Sequence, residues 1–497
     1  MMDGHGKSDR FVVPQNSPNN ARERAAEVGE GRERTKGNVG ERNALRTQGR
    51  TGASTALDRV RQAAKRNGTQ RFTALLHRVY DVDRLRAAYL ALTRAAAAGV
   101  DGETWRHYGE TLEANLQDLA GRLRRGAYRA QPVRRAYIPK TDGRQRPLGV
   151  PTLEDKIVQR AVVEVLNAIY EPAFLGFSYG FRPGRSPHLA LDALSVGIMT
   201  KRVNWVLDAD LSRFFDTLDH GWLVRFLEHR IADRRVVRLI QKWLNAGVLE
   251  DGACTQSEVG TVQGGSISPL LANLYLHYVL DLWVQRWRRR DAHGDVVVVR
   301  FADDFVLGFE RRADAERCLA ALRDRFARFG LMLHPDKTRL IEFGRWAIRD
   351  RRARGEGKPE SFHFLGFTHS CAKTWKGGFT VMRRTMRARW QAKLKAVKTE
   401  LWRRLHQPVP ELGAYVRAVV VGHMRYYAVP MNLPAVSAFT QGVIRVWWRT
   451  LGRRSQRRLP WYRMRHHVAR WIPPLRICHP YPLVRFGVAT RGGSRMR

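Results

Sequence analysis

The chain has 497 residues and carries 88 Lys and Arg against 46 Asp and Glu, which gives a formal net charge of +42. This length allows about two to four domains with a sizeable core, and the charge predicts a polyanionic partner, for which nucleic acid is the leading candidate. A basic membrane-surface protein is the alternative, but we find no amphipathic membrane anchor, no lipidation motif and no apolar run near the ~20 residues that span a bilayer.

The first 65 residues are rich in Gly, Asn, Arg, Glu and Ser and show no sustained hydrophobic period. This composition predicts a disordered basic leader. The first ten residues lack an apolar signal-peptide core, and the four cysteines of the chain lie far apart without a CxxC pair. We therefore expect a cytoplasmic protein with neither a zinc module nor a disulfide framework.

Helical periodicity begins near Arg71 and stops at residues 99–102, after which a second helix is predicted over about residues 104–124. From residue 137 to residue 379, short strand-like runs alternate with helical ones, which predicts an α+β or α/β fold with a small sheet covered by helices. The predicted strands are 205–207, 296–300, 305–309, 339–343 and 363–367. The predicted helices are 153–169, 188–199, 222–229, 236–245, 269–289 and 313–329, and residues 345–360 are predicted to form an exposed loop.

The composition changes after about residue 381, and residues 383–497 hold 25 Lys and Arg against two Asp and Glu. Tryptophans are interleaved with this charge. Lys and Arg neutralise phosphates, and aromatic rings stack on bases. Although most of these tryptophans are expected to be core residues of a helical domain, the charge predicts that this region lies against nucleic acid.

Two adjacent aspartates, Asp303 and Asp304, separate apolar runs at residues 296–299 and 305–309. Such runs on both sides of a short polar step predict two strands joined by a tight turn. Like charges this close repel each other unless a cation neutralises them, and carboxylate oxygens favour Mg²⁺. A solvated Asp-Asp turn explains the pair equally well when it is considered alone.

A second acidic segment favours the metal site. Residues 205–216 run from an apolar strand into acidic residues, and period-two alternation places Asp208 and Asp210 on one face of that strand. Two-metal phosphoryl transfer needs bridging carboxylates from separate backbone segments. One acid from this strand and one or two from the hairpin would supply them, so a nucleotidyl-transfer site is predicted.

Several segments in a fixed order carry a resemblance to a known family. The Phe-Ala-Asp-Asp box at residues 301–304 resembles the catalytic box of reverse transcriptases, in the form usual for bacterial group II intron-encoded proteins. The segment SYGFRPGRS at residues 178–186 is similar to a stretch of the same family almost letter for letter. The other similar segments are 137–140, 146–151, 210–220, 260–273, 333–338 and 364–367, and the resemblance covers about residues 72–432.

The resemblance implies a right-hand polymerase of the α+β class. It places the fingers and palm, with a small antiparallel sheet, in residues 66–380, and an α-helical thumb and maturase domain in residues 381–438. Residues 439–497 would form a basic tail and a candidate DNA-binding region. Because the histidines at 466–467 and the lone Cys478 are not accompanied by cysteine pairs, no HNH endonuclease domain is expected.

The resemblance also implies roles for individual residues. Asp210 and Asp303 would be catalytic and would hold two Mg²⁺ ions, with Asp304 as a further ligand or a supporting group. Asp208, Asp216 and Asp219 are instead expected to cap helices or form salt bridges. The residues implied to bind the incoming dNTP are Lys140, Arg146, Phe215, Gln263 and Lys337. The residues implied to bind RNA are Arg182, Arg383, Arg384, His423, Arg425 and Tyr427, with a structural role for His423 as an equal alternative.

The expected function is that of an intron-encoded reverse transcriptase and maturase. Its partners would be a group II intron RNA, template RNA, primer or target DNA, and dNTPs, and the sequence leaves monomer and homodimer both open. Three alternatives remain at this point: a reverse transcriptase recruited to phage defence or another host role, a maturase that assists splicing only, and a structural RNA-binding protein without catalysis.

Overall fold

The computed structural model describes residues 50–139, 145–250, 253–255, 260, 264–454 and 459–485. Two of the residues implied to bind the dNTP, Lys140 and Gln263, lie outside the described residues, as do residues 1–49 of the predicted leader. The secondary structure of the remaining chain is mixed helix and sheet, as the sequence predicts.

The N-terminal part of the described chain is helical. Its helices are α1 (Arg50–Arg66), α2 (Leu76–Val79), α3 (Val82–Ala91), α4 (Trp105–Tyr108) and α5 (Leu112–Arg125). Leu57, Val60 and Ala64 are spaced for one face of α1 and are buried in the largest core. The prediction of disorder up to residue 65 is therefore wrong for residues 50–65, and the helix predicted over residues 104–124 is divided into α4 and α5.

The next region builds a sheet with the strand order β2-β1-β4-β5. In chain order its elements and their neighbours are β1 (Val133–Pro139), β2 (Gln145–Val150), α6 (Leu153–Tyr170), α7 (Pro187–Thr200), β3 (Trp205–Ala209), α8 (His220–Glu228), α9 (Arg234–Leu244), β4 (Val248–Glu250) and β5 (Ala253–Thr255). Strands β1 and β2 form an antiparallel hairpin, and Arg146 of β2 pairs with Ile138 of β1.

A second sheet lies at the centre of the described chain. The elements that follow are α10 (Ser268–Leu276), one π-helical turn (His277–Asp281), α11 (Leu282–Arg290), β6 (Val296–Phe301), β7 (Asp304–Phe309), α12 (Arg312–Arg328) and β8 (Arg339–Glu342). With β3, these strands form a sheet of order β6-β7-β3-β8 in which every neighbouring pair is antiparallel. This is the small antiparallel sheet expected of a polymerase palm.

A third sheet follows, with the order β11-β10-β9. The elements are α13 (Ala347–Ala353), β9 (Phe362–Phe364), β10 (Phe367–Lys373) and β11 (Phe379–Thr385). Two predictions need correction here, because α13 lies inside the predicted loop 345–360 and the predicted strand 363–367 is split. The split occurs at Leu365 and Gly366, whose φ angles of 48° and 80° turn the chain back on itself.

The C-terminal part is helical, with α14 (Arg387–Arg403), α15 (Val409–Tyr427), α16 (Leu433–Gly452), α17 (Trp461–Trp471) and α18 (Pro482–Arg485). Leu401, Val420, Trp447 and Met464 belong to one buried cluster that joins α14 to α17. The predicted boundary between residues 438 and 439 lies inside α16, and hydrophobic packing crosses it. In the part of the chain that the structure describes, none of the helices has both the length and the apolarity to cross a bilayer.

Candidate active site

The three predicted catalytic aspartates converge at one end of the central sheet. The hairpin of β6 and β7 turns at Ala302 and Asp303, and Phe301 pairs with Asp304. Ala302 adopts a φ angle of 57°, a left-handed conformation that produces the tight turn. Since Ala209 of β3 pairs with Phe305 of β7, the next step of the same register brings Asp210 opposite Asp304.

The electrostatics of these carboxyls reflect their proximity. Partial burial raises the pKa of Asp303, the charge of Asp210 adds to the increase, and Arg146 and Arg300 oppose it. Desolvation, followed by the charges of Asp303 and Asp210, raises the pKa of Asp304 to about 7. Asp304 remains exposed to solvent, and the like charges of Asp303 and Asp210 favour its protonated form.

The donor set fits Mg²⁺ in its chemistry, although it is not a closed cage. Within the described residues, no group of three or more His, Cys, Asp or Glu side chains is arranged to hold a metal ion by itself. Mg²⁺ in phosphoryl-transfer sites usually takes one or two carboxylates and completes its shell with substrate phosphates and water. The carboxylate oxygens of Asp210, Asp303 and Asp304 match that pattern.

Lys337 reaches the site from the loop before β8. The backbone N–H of His334 donates to the carbonyl of Asp210 (2.8 Å), which holds this loop beside β3. The Nζ of Lys337 then lies 2.6 Å from Oδ2 of Asp210. The ammonium group thus already neutralises one of the three carboxylates in this structure.

A buried network behind the turn holds the aspartates in place. The fully buried guanidinium of Arg300 donates to both carboxylate oxygens of Asp281 (2.7 and 2.6 Å) and to the carbonyl of Ala302 (2.9 Å). It also donates to Oδ1 of Asn273, whose Nδ2 donates to the carbonyl of Gly180 (2.7 Å). Asp281 is the last residue of the π-helical turn. Such turns are rare in proteins, and many of those known lie at functional sites.

Gly180 allows the segment at residues 178–186 to pack against the turn that carries the predicted catalytic Asp303. A Cβ added at Gly180 would lie 2.2 Å from the backbone nitrogen of Ala302. Only glycine therefore lets the two backbones approach this closely. The sequence pattern did not single out Gly180, Arg300, Asp281 or Asn273, although two of these residues lie inside segments that carry the resemblance.

The remaining predicted dNTP ligands that the structure describes lie around this centre. Arg146 is exposed on β2 and is near enough to Asp303 to lower the pKa of that carboxyl. Phe215 is half-buried in a single 3₁₀ turn (Phe214–Asp216), where its ring packs against Phe214 at 5.4 Å between centroids. Two of the acids that were expected to cap helices or form salt bridges do so: Asp219 caps α8, and Asp208 forms an ion pair with Arg339 at 3.7 Å.

Two predicted RNA ligands are buried structural residues instead. Arg182 donates to Glu171 (2.7 Å) and to the carbonyls of Leu175 (2.6 Å) and Ser178 (2.7 Å). Its guanidinium is therefore committed within the protein, and the prediction that Arg182 contacts RNA is corrected.

Arg383 lies on β11, so the domain that was expected to be α-helical over residues 381–438 begins with the end of a strand. Its Nη1 donates to Oδ1 of Asp192 at 2.8 Å, and Arg485 contacts the other oxygen of that carboxylate at 3.1 Å. Burial lowers the pKa of Arg383. Arg384, on the opposite face of the same strand, is exposed and stays a predicted RNA ligand.

The three predicted ligands on α15 differ in their surroundings. His423 is buried and stacks on Phe439 with 3.7 Å between ring centroids, so its structural alternative is the better one. Tyr427 is half-buried and packs against Phe367. Arg425 is exposed, and its backbone carbonyl lies 2.7 Å from Nε2 of His479. Of the three, Arg425 is the most accessible to RNA.

The C-terminal helices also reach the predicted catalytic aspartates. Arg389, in the first turn of α14, is exposed and near enough to Asp304 to lower the pKa of that carboxyl. A Cβ added at Gly366 would lie 3.4 Å from Nη1 of Arg389 and 3.0 Å from the hydroxyl of Tyr427. The sequence pattern gave no reason to select Arg389, since its approach depends on how α14 packs after β11.

The comparisons with known proteins agree with this geometry. Residues 138–369 match the family described as reverse transcriptase (RNA-dependent DNA polymerase). The chain is 36% identical over 312 residues to Protein YkfC of Escherichia coli K12, and the alignment covers 54% of this chain and 81% of that protein.

Two further relatives are named for introns. The chain is 37% identical over 231 residues to the group II intron-encoded protein LtrA of Lactococcus lactis. The alignment covers 46% of this chain and 38% of LtrA. It is 31% identical over 99 residues to the protein named Nuclear intron maturase 1, mitochondrial, of Arabidopsis thaliana. That alignment covers 19% of this chain and 13% of the relative. The chain thus spans well under half the length of these two relatives.

Proposed function

The chain belongs to the group II intron-type reverse transcriptases and maturases, and we propose that it binds a group II intron RNA, assists its splicing and copies it into DNA at a new site. Its enzymatic activity is that of an RNA-directed DNA polymerase. The observation that carries the proposal is the strand register that brings Asp210 opposite Asp304, with Asp303 in the adjoining turn.

The proposed chemistry is two-metal nucleotidyl transfer. Asp210 and Asp303 would hold two Mg²⁺ ions, with Asp304 as a further ligand or a supporting group. When bound, Mg²⁺ supplies Lewis acidity to the attacking and leaving oxygens of an in-line displacement. Arg300 and Asp281 keep the turn in position, so little reorganisation is needed when substrate arrives.

The nucleotide would be held from several sides. Arg146, together with Lys140 and Gln263 outside the described residues, is suited to gripping the triphosphate and lining its pocket. Phe215 would exclude ribonucleotides, because its ring would clash with a 2′-hydroxyl. Lys337 would leave Asp210 when metal binds and would then be available to the departing pyrophosphate.

Intron RNA binding would be a separate property of the basic surface. Exposed cations such as Arg384 and Arg425 would contact phosphates, and the residues after 439 would add a basic region for DNA or RNA. Splicing assistance is then a binding role, and it should survive loss of the carboxylates. The similarity to relatives named for introns supports the maturase over a reverse transcriptase recruited to another host role.

Primer extension on an RNA template with Mg²⁺ tests the proposal. We expect Asp303→Asn to lower the extension rate by roughly 10³-fold, because a metal ligand contributes several kcal/mol to the transition state. Asp208→Asn is the matched control, since Asp208 shares the strand face of Asp210 but pairs with Arg339. We expect this control to retain its rate within about tenfold.

The same variants separate the two proposed activities. Asp303→Asn should assist intron splicing as well as the wild type does. Full-length DNA from Asp303→Asn would contradict the assigned site, and wild-type protein that assists splicing without extending a primer would favour the splicing-only alternative.

A further inference from the structure

Trp375 is the most exposed large apolar side chain of the described residues. It is 92% exposed at the tip of the hairpin that β10 and β11 form. Tryptophan is usually well buried because its ring offers a large apolar surface. A ring that projects this far into solvent is therefore a candidate contact for a ligand.

The tip that carries Trp375 is a defined structure. The backbone N–H of Thr374 donates to the carbonyl of Gly378 (2.7 Å), and that of Gly377 donates to the carbonyl of Thr374 (2.9 Å). The hydroxyl of Thr374 accepts a further bond from the N–H of Gly378 (3.1 Å). Below the tip, the ladder runs without interruption from Phe367 to Lys373. The backbone that carries the ring is thus ordered by hydrogen bonds before any ligand binds, which limits the entropy lost on binding.

The charge around the ring is positive. The Nζ of Lys376 lies 5.1 Å from the centroid of the Trp375 ring, and Lys373 is exposed at the end of β10. Across the described ranges, no carboxylate pairs with either lysine. The other residues of the turn are Thr374, Lys376, Gly377 and Gly378, so the turn itself adds no second large apolar side chain of the kind that a protein partner would bury.

We propose that the tip of this hairpin binds an unpaired nucleotide, whose base stacks on Trp375 while its phosphates lie beside Lys373 and Lys376. Stacking on one aromatic ring suits any base, because every base has a π face, and two adjacent cations suit the flanking phosphates. The proposal rests on the proposed function only in taking nucleic acid as the ligand.

The position of the tip assigns it to binding rather than to chemistry. Six residue steps of β10 separate Phe367 from Lys373, which corresponds to about 20 Å along the strand. Phe367 follows Gly366, where an added Cβ would lie 3.4 Å from Nη1 of Arg389, a residue near enough to Asp304 to act on the pKa of that carboxyl. Nucleic acid that reaches the tip must therefore extend well beyond the reacting nucleotide.

Fluorescence anisotropy with a labelled 20-nucleotide single-stranded RNA tests the stacking. We expect Trp375→Ala to raise Kd by roughly 5- to 150-fold, the range for loss of one stacked base. Trp375→Phe should bind almost as well as the wild type, because it keeps a π face. Trp375→Leu should bind as weakly as Trp375→Ala, because it keeps apolar surface only.

The contribution of the two lysines can be measured separately, because it changes how strongly Kd depends on salt concentration. The double variant Lys373→Ala/Lys376→Ala should make the slope of log Kd against log salt shallower by about 1.4, or ~0.7 for each phosphate contact on a single strand. Trp375→Ala should leave that slope unchanged. The exposed position of all three side chains means that the variants should fold, which thermal unfolding checks.

The outcomes separate this proposal from the proposed function. An unchanged Kd for Trp375→Ala, or wild-type binding by Trp375→Leu, would overturn the stacking. Parallel titrations with single-stranded DNA and with a blunt duplex identify the source of the nucleotide, and a Trp375 effect seen equally on the blunt duplex would exclude an unpaired base. If the wild type failed to extend a primer while Trp375→Ala still weakened RNA binding, the polymerase assignment would fail and the binding site would stand.

Discussion

The ammonium of Lys337 lies 2.6 Å from Oδ2 of Asp210, so a cation of the protein itself already contacts the predicted metal-binding carboxylate. The contact depends on the loop that hydrogen-bonds to the Asp210 carbonyl through His334. A divalent ion that binds Asp210 must therefore displace Lys337 or share the carboxylate with it.

Removing this ammonium should strengthen divalent-ion binding by the nucleotide-free protein. Lys337→Met should lower the Kd for Mn²⁺ by up to about fivefold, the range expected for an ion pair that remains partly exposed. Isothermal titration calorimetry measures the change, and Asp210→Asn, which loses the ligand, is the control that should bind more weakly. Weaker binding by Lys337→Met would show that the lysine supports the metal rather than competing with it.

Gly180 should be essential for the geometry of the catalytic turn. In Gly180→Ala the new methyl group would meet the backbone of Ala302 at 2.2 Å, so the turn must shift. Because misplacement by about 1 Å can cost roughly 10²-fold in rate, we expect kcat for primer extension to fall by that order while template affinity changes little.

Gly422→Ala provides the matched control for this substitution. A Cβ added at Gly422 would have no heavy atom within 4 Å. Because alanine favours the helical conformation more than glycine does, the free energy of unfolding should rise by up to about 1 kcal/mol. Its extension rate should equal that of the wild type. Equal rates for both glycine variants would contradict the role assigned to Gly180.

Arg383 and Arg384 are neighbours in sequence and should behave in opposite ways. Among the described residues, Arg383→Ala leaves the buried Asp192 with Arg485 as its remaining ion-pair partner, so the free energy of unfolding should fall by about 3 kcal/mol. Arg384→Ala should change stability by less than about 0.5 kcal/mol. Chemical denaturation measures both values.

For RNA binding, we expect Arg384→Ala to have the larger effect and Arg383→Ala the smaller one. Arg384→Ala should weaken binding of intron RNA and reduce the salt dependence by ~0.7–0.9, as expected when one phosphate contact is lost. Arg383→Ala, at a temperature where it is folded, should bind with the wild-type salt dependence. A reduced slope for Arg383→Ala would return that residue to the RNA interface.

His423 should make stability depend on pH. Burial lowers the pKa of His423 to about 3, below the 6.5 of an unfolded histidine. The unfolded chain therefore binds a proton that the folded protein does not, and stability falls as pH decreases below 6.5. Between pH 7 and pH 5 this single group should remove about 2 kcal/mol.

His423→Phe should remove that contribution, because phenylalanine keeps a ring that can stack on Phe439 and does not titrate. Unfolding at several pH values should show a smaller loss for this variant than for the wild type between pH 7 and pH 5. Its affinity for intron RNA should stay unchanged, whereas a specific loss of RNA binding would support the ligand role first implied for His423.

Much of the catalytic hairpin could be predicted because its signals are local. Apolar runs on both sides of Asp303 and Asp304 predict two strands, and alternation along β3 places Asp208 and Asp210 on one face. The helices at residues 153–169 and 313–329 were predicted to within one or two residues of α6 and α12, because their apolar periodicity is long and regular.

Signals of this kind fail where a charge is buried. Nothing in the order of residues around Arg182 or Arg383 distinguishes a buried ion pair from a phosphate contact. The partner of Arg383 is Asp192, 191 residues away, and such a contact becomes visible only when α7 and β11 are packed together. For the same reason the structural role of Arg300 could not be predicted from the sequence. Its pairing with Asp281 depends on how β6 packs against the π-helical turn.

The sequence by itself determined the chemistry of this protein: carboxylates on two strands, cations for a polyanion, and ordered segments that carry the family. Those properties depend on residue types at short spacings, which local backbone geometry converts directly into strands and turns. Only the tertiary structure decided which cations are available. Arg182, Arg300 and Arg383 form buried ion pairs, and Lys337 contacts Asp210. Arg384 and Arg425 remain exposed, as does the aromatic ring of Trp375. Contacts between distant segments of the chain set this burial and these partners.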